Sequence, residues 1–324
     1  MDNSPNNFRL DSPSPHMSSS NTTAILPRDT TDKGIHRGWW ILTVAFTAVF
    51  MSAPGQSHSI GTFRDMMIRG MENVNDTQFS TAYLVATLFS GFALPFLGPL
   101  IDRFGARALL PLTSMLLAGA CILMSCVEQL PLLYLSLGML RLIGQGLMCL
   151  LATWLIGEWF QEKRGLAMGL MGVGGAISVM TFPLLNRYFM LNYDWQTAWL
   201  VLAAILLVTF VIPPWLVIRN RPEKEGLFPD WQYHPREKQS TLVTEYSPHI
   251  TQETWTRSEA LRDPTFWKLV MCITCTAMVG TGVMFYADRV LERLGMSGNK
   301  PYYVLALQAV LAMITCIGAG YLTA

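Results

Sequence analysis

The chain is divided into long stretches that carry almost no charge, and this restricts its fold more than any other feature. Eight mainly apolar segments lie at about 38–62, 79–100, 108–127, 131–156, 165–186, 196–218, 265–287 and 301–323. A helix that crosses the hydrocarbon core of a bilayer needs about 20 such residues. Lipid offers the backbone no hydrogen-bond partner, so runs of this length read as helices, and no alternating barrel pattern is visible. The expected fold class is therefore all-α and integral to a membrane. Composition agrees: 14% of residues are charged, against about 25% in a soluble domain. With a net charge of +1 the chain lacks the basic face of a nucleic-acid binder. Its first expected partner is the lipid bilayer.

The polar parts set the organisation. Residues 1–37 are rich in Asn, Ser, Pro and Thr and read as a disordered tail. Residues 38–218 hold six spans. Residues 219–264, dotted with Pro222, Pro229, Pro235, Pro248 and Pro264, form the one long internal linker, and 265–324 hold two further spans. Of the 23 Lys and Arg, 15 fall on the side of the tail and linker and six on the other. The positive-inside rule then places the N-terminus in the cytoplasm of a multi-pass protein in the plasma or inner membrane. Asn75-Asp76-Thr77, on the opposite side, fits an N-glycosylation sequon. The six cysteines all sit in apolar stretches, where they read as packing residues rather than a disulfide framework.

A few residues stand out inside the spans. Arg141 lies about ten residues into the fourth, where a charge costs about 3 kcal/mol or more and faces a cavity or a partner. It shares a helical face with Gln145 and Cys149. Arg141 and Gln145 are candidates for substrate binding; the alternative is an arginine paired with backbone carbonyls or a neighbouring helix. Pro54-Gly55 interrupts the first span, freeing backbone groups that need protein or water partners. Ser52, Gln56 and Ser59 are spaced as a polar stripe, which makes Gln56 and Ser59 candidates to line a cavity. His58 titrates in the right range to relay a proton, or is simply a solvated histidine near the membrane face. Tyr83, Thr87 and Ser90 form another stripe, read as helix packing. Gly169, Gly172 and Gly175, three apart in the fifth span, are read as a close helix contact. No phosphate-binding loop, metal-ligand spacing or nucleophile–base set is present, so no cofactor, no metal and no enzyme activity are expected.

The loop after the second span reads Gly98-Pro-Leu-Ile-Asp102-Arg103-Phe-Gly105-Ala-Arg107. It resembles the signature loop of the major facilitator superfamily, in its usual place between spans two and three, with Ala106 standing where a second basic residue is common. The loop Trp159-Phe160-Gln-Glu-Lys163-Arg164-Gly165 and the glycines that follow it, Gly169 to Gly175 and then Pro183, are similar to the fifth-helix region of the oxalate/formate antiporter and monocarboxylate transporter branches.

The resemblance implies a major facilitator fold: a complete N-terminal six-helix bundle and the first two helices of a C-terminal bundle, in a chain truncated after its eighth span. It implies a secondary transporter working by alternating access, with a small-molecule substrate held near the bilayer midplane. The substrate class it suggests is small organic anions such as monocarboxylates, with a proton or counter-anion compensating the charge. Gly98, Asp102, Arg103, Gly105 and Arg107 would then form the conformational-switch motif. In that branch an arginine commonly precedes the glycine that corresponds to Gly320; here Cys316 and Ile317 occupy the region. A carrier of neutral or cationic solutes, and a truncated non-transporting membrane protein with a binding or regulatory role, stay open as alternatives.

Overall fold

The computed structural model describes residues 37–71, 74–161, 163–210, 218, 257–296 and 300–322. The expected tail up to residue 36, the end of the sixth span at 211–217 and the linker from 219 to 256 lie outside the described residues. The fold is all-α and multi-pass. Its helices are α1 (Arg37–Met51), α2 (Ser57–Gly70), α3 (Asp76–Phe104), α4 (Ala106–Ser125), α5 (Leu130–Met139), α6 (Cys149–Trp159), α7 (Arg164–Asn192), α8 (Trp195–Phe210), α9 (Arg257–Arg262), α10 (Pro264–Arg293) and α11 (Lys300–Leu322). Among the described residues, seven helical segments are long and apolar enough to cross a membrane, and Trp195–Phe210 is a shorter apolar helix.

Two of the expected spans are not continuous α-helices. The first is α1 and α2 joined by a 3-10 turn at Ala53–Gly55, with Gln56 extended at φ −88° and ψ 153°. Pro54 has no N–H to continue the helix, so the turn follows from the sequence. Ser52 and Gln56 stay together across the break, Gln56 Nε2 donating to Ser52 Oγ at 2.9 Å, whereas Ser59 leaves the expected stripe and turns to Asn186 of α7. The fourth span is α5 and α6 joined by a π-helical segment at Leu140–Met148. Its wider turn is a local device that concentrates at functional sites, and neither Arg141 nor Gln145, which both lie in it, announces it in the sequence.

Short-range chemistry sets the ends. Asn75 caps α3 reciprocally: its Oδ1 accepts from Gln78 N at 2.9 Å and its own N–H donates to Gln78 Oε1 at 2.9 Å, the two halves of a capping box. Gly105, at φ +73°, is the single residue between α3 and α4, a conformation that glycine adopts without steric cost. The C-terminal part of the expected linker is helical: α9 leads to Asp263, whose carboxylate accepts from Thr265 N at 2.7 Å and caps α10.

Glycines bring the backbones together. α7 runs beside α11 along its length, from Gly165 O and Gly169 against Gly320, past Cys316, to Arg187, whose Nη1 donates to Tyr302 Oη at 3.4 Å. Gly174 instead meets the carbonyl of Phe46 on α1, and Gly175 meets Val49. The glycines of α7 therefore face two helices, not one. Between the chain break and the π segment the approach is tighter still. A Cβ on Gly144 would stand 2.8 Å from Gly55 Cα, and one on Gly55 would overlap the Leu140 carbonyl.

Gly144→Ala is accordingly expected to destabilise the protein by about 1–3 kcal/mol, the range for overpacking a filled core. Gly119, where nothing lies within 4 Å of an added Cβ, is expected to tolerate alanine. Thermal unfolding of the two variants in the same detergent measures the difference.

Candidate functional site

Ending α1 at a proline leaves carbonyls without their usual donors. Phe50 O would accept from residue 54 in a continuous helix, but Pro54 has no N–H. Ser178 of α7 fills that place, its hydroxyl donating to Phe50 O at 3.1 Å. Its oxygen then accepts from His58 Nε2, 3.4 Å away. Further on, Ser59 N bonds to Gln56 O, and Gly55 O turns towards the π segment. There Arg141 Nη1 donates to it at 3.2 Å.

Arg141 is only 3% exposed, and all of its partners are neutral. Nε donates to Thr87 Oγ1 at 3.2 Å, and Nη1 also reaches Ser57 Oγ at 3.5 Å. The guanidinium carbon lies 5.0 Å from the centre of the Tyr83 ring, within cation–π range. Tyr83 is held in turn by its hydroxyl, which donates to Ser57 Oγ at 2.7 Å. No carboxylate among the described residues pairs with Arg141. Three of its five N–H groups are used in this way, and Nη2 keeps its two. The result is a buried cation, oriented from three helical segments, with its charge uncancelled.

The other candidates fall into two groups around the break. Gln56 stays near Arg141's segment: its Nε2 donates to Ser52 Oγ at 2.9 Å and lies 3.5 Å from Cys149 Sγ. Gln145 is partly buried, and its Oε1 is buried without a hydrogen-bond partner. His58 and Ser59 turn the other way, towards α7. Ser59 is fully buried and accepts from Asn186 Nδ2 at 2.8 Å. His58 is buried too, so the solvated alternative does not describe it. Arg141 and His58 thus sit on opposite sides of one broken helix.

The loop motif lies at the end of the bundle where α3 meets α4. Asp102 and Arg103 are exposed there, Arg107 is partly buried, and nothing stands within 4 Å of a Cβ added at Gly98. Among the described residues no group of three or more His, Cys, Asp or Glu is placed to hold a metal ion.

At the opposite end the structure assembles a charge cluster that spacing in the sequence does not reveal. Arg64 and Asp65 lie in the middle of α2, Asp76 opens α3 and Arg289 lies near the end of α10. Arg289 Nη2 is 2.9 Å from Asp65 Oδ1, and its Nη1 is 2.7 Å from Asp76 Oδ2. Arg64 Nη2 stands 2.6 Å from Asp76 Oδ1 as an ion pair. Phe285, four residues before Arg289, stacks on Tyr83 with centroids 4.1 Å apart. Only the adjacency of Arg64, Asp65 and Asp76 around one short loop hints at this group.

Compared with known proteins, residues 37–324 match the Major Facilitator Superfamily. Monocarboxylate transporter 9 of Mus musculus is 27% identical over 173 residues, which cover 52% of this chain and 33% of that protein. Monocarboxylate transporter 14 of Homo sapiens is 25% identical over 177 residues, or 53% and 34% of the two chains. Monocarboxylate transporter 1 of Mus musculus is 25% identical over 170 residues, or 52% and 34%. The matched region spans about a third of the length of these relatives.

The Arg141 network makes a local prediction. Thr87→Val removes the acceptor of a buried, charged N–H, and is expected to cost about 1–3 kcal/mol of stability. Thr87→Ser, which keeps the oxygen, is expected to stay close to the parent in the same thermal unfolding measurement.

Proposed function

The chain belongs to the Major Facilitator Superfamily, and from that premise we propose that it is a secondary transporter of small organic anions, monocarboxylates among them. One observation carries the substrate class: Arg141 is buried among neutral partners with two N–H groups on Nη2 unused. A guanidinium withdrawn from water and lacking a counter-ion favours an anion strongly, and its planar edge suits a carboxylate. Gln145, four residues along the same segment, adds an acceptor without a partner, which suits a hydroxyl on the substrate. The names of the relatives point to the same class, at 25–27% identity.

In this reading the spans in 38–218 form one six-helix bundle and α10 and α11 begin a second, joined through 219–264. The tail and linker face the cytoplasm, following the Lys and Arg bias, so the charge cluster of Arg64 and Arg289 lies at the outer end. Access to Arg141 alternates between the two faces, as in carriers built from repeated bundles. Gln56 lines the first-span side of the path, and Ser59 and His58 fasten that span to α7 behind it. Asp102, Arg103, Gly105 and Arg107, with Gly98 before them, act in switching at the inner end. Gly169, Gly172 and Gly175 let α7 keep close contact with its neighbours during the change. A proton or counter-anion moves with the substrate.

The test is carboxylate binding to purified Arg141 variants, counted per folded molecule. Arg141→Lys keeps the charge but loses the flat fork, and affinity is expected to fall about tenfold, the effect of one charge-assisted hydrogen bond. Arg141→Ala is expected to bind more weakly still. Normal affinity in well-folded Arg141→Ala would end the anion proposal and leave the arginine as a structural tie between spans.

A further inference from the structure

The charge cluster joins parts of the chain that an alternating-access cycle has to separate. Asp65 and Arg64 belong to α2, Asp76 to α3, and Arg289 to α10. Asp76 is shared, one oxygen to each arginine. Arg64 is 2% exposed and lies beneath α10, its guanidinium carbon 4.7 Å from the Tyr286 ring centre and 5.4 Å from that of Phe285. Its Nη2 also donates to Ser80 Oγ at 3.2 Å, and Tyr286 Oη donates to the same oxygen at 3.1 Å. Gly61 tightens the contact further, since a Cβ there would stand 2.8 Å from Phe285 O. Beside that close glycine contact, most of the arrangement is polar or aromatic. It is a patch of alternating charge and aromatic faces on one end of α10.

The patch continues inwards to the buried arginine. Phe285 lies on Tyr83, and Tyr83 lies under Arg141. The rings therefore stand in an unbroken stack between Arg141 and Arg64. Moving the end of α10 away from α2 and α3 lifts Phe285 from Tyr83 and uncovers that ring. It also breaks both of Arg289's ion pairs.

We propose that Arg289, bridging Asp65 and Asp76, is the latch of a gate whose plate is the Phe285–Tyr83 ring pair, and that the gate closes the α2–α3 end of the path over Arg141. The strength of the latch is graded by exposure. The side chains of Arg289, Asp65 and Asp76 are 37%, 40% and 47% exposed, so water and salt screen them. Such a bridge holds a closed state against thermal opening yet lets it open. Arg64, fully covered, remains with α2 and α3 and supplies the fixed positive charge that keeps Asp76 in place. The proposal rests on the alternating-access reading for its use in transport. It does not depend on the substrate class, because the latch is formed without ligand.

The experiment measures distances between spin labels on Thr77→Cys and Glu292→Cys, both exposed positions flanking the cluster, in the full chain with its native cysteines replaced by serine. In the absence of substrate, Arg289→Gln is expected to raise the ratio of long to short distances about threefold to tenfold, the range for losing one or two partly exposed ion pairs. Asp65→Asn, which removes one pair only, is expected to give a smaller rise in the same direction, and guards against a variant that fails to fold. Raising the salt concentration is expected to shift the parent the same way. Arg293→Gln, a neighbouring exposed charge outside the cluster, is expected to leave the distribution unchanged. Identical distributions in the parent, Arg289→Gln and Asp65→Asn would overturn the latch, as would an equal shift in Arg293→Gln. Carboxylate binding to Arg141 is not read in this experiment, so an anion reading that fails leaves its outcome untouched.

Discussion

The hydrogen bond from Arg141 to Gly55 O is the constraint on which the centre of the molecule depends. Neither group is satisfied by its own helix. Proline ends α1, and the carbonyl of Gly55 then has no backbone donor in α2. Arg141 is placed where lipid would make its charge very costly. Each supplies what the other lacks, at 3.2 Å. The contact requires the two backbones to touch, which only the Gly55–Gly144 pair permits. It also accompanies the π-helical segment that carries Arg141 and Gln145. A broken helix, a widened helix and a buried cation are thus parts of one solution. What this solution leaves over is positive charge without a counter-ion.

The same break reaches its other neighbour by a different route. Phe50 O, deprived of a donor by Pro54, is bonded by Ser178, and Ser178 is bonded by His58. α7 is thereby tied to the first span at the level of the break, while its glycines press it against α1 on one side and α11 on the other. A shift of α11 relative to α7 is carried along a smooth small-residue seam. A shift of α10 instead has to break ion pairs at its end. The two helices after the linker are therefore held to the preceding ones in different ways.

Much of this architecture was legible in the amino-acid sequence. The apolar runs, the punctuating polar loops and the turn at Gly105 follow from solvation and backbone sterics, which act locally. Arg141 could be singled out because a charge inside an apolar run is conspicuous by itself. Its pairing could not: Gly55 stands out as a break that frees backbone groups and Thr87 as part of a packing stripe, but only three-dimensional packing aims them and Ser57 at one guanidinium. The stripe of Ser52, Gln56 and Ser59 holds only in part: Ser52 and Gln56 meet across Pro54, but the backbone turns extended at Gln56, so Ser59 starts a new helical phase and faces α7. The charge cluster was invisible because Arg289 lies more than 200 residues from Asp65 and Asp76, and no local pattern reports a pairing of that range. The glycines of α7 stand against both α1 and α11, a division that one-dimensional spacing does not report.

The most direct test of the account is solute uptake by proteoliposomes that contain the chain, with radiolabelled monocarboxylate, sugar and amine compared under identical gradients. The expected result is saturable carboxylate uptake above that of protein-free vesicles, with the sugar and the amine at background. Uptake of the amine or the sugar, with carboxylate at background, would contradict the claim that Arg141 is held in place to meet an anion.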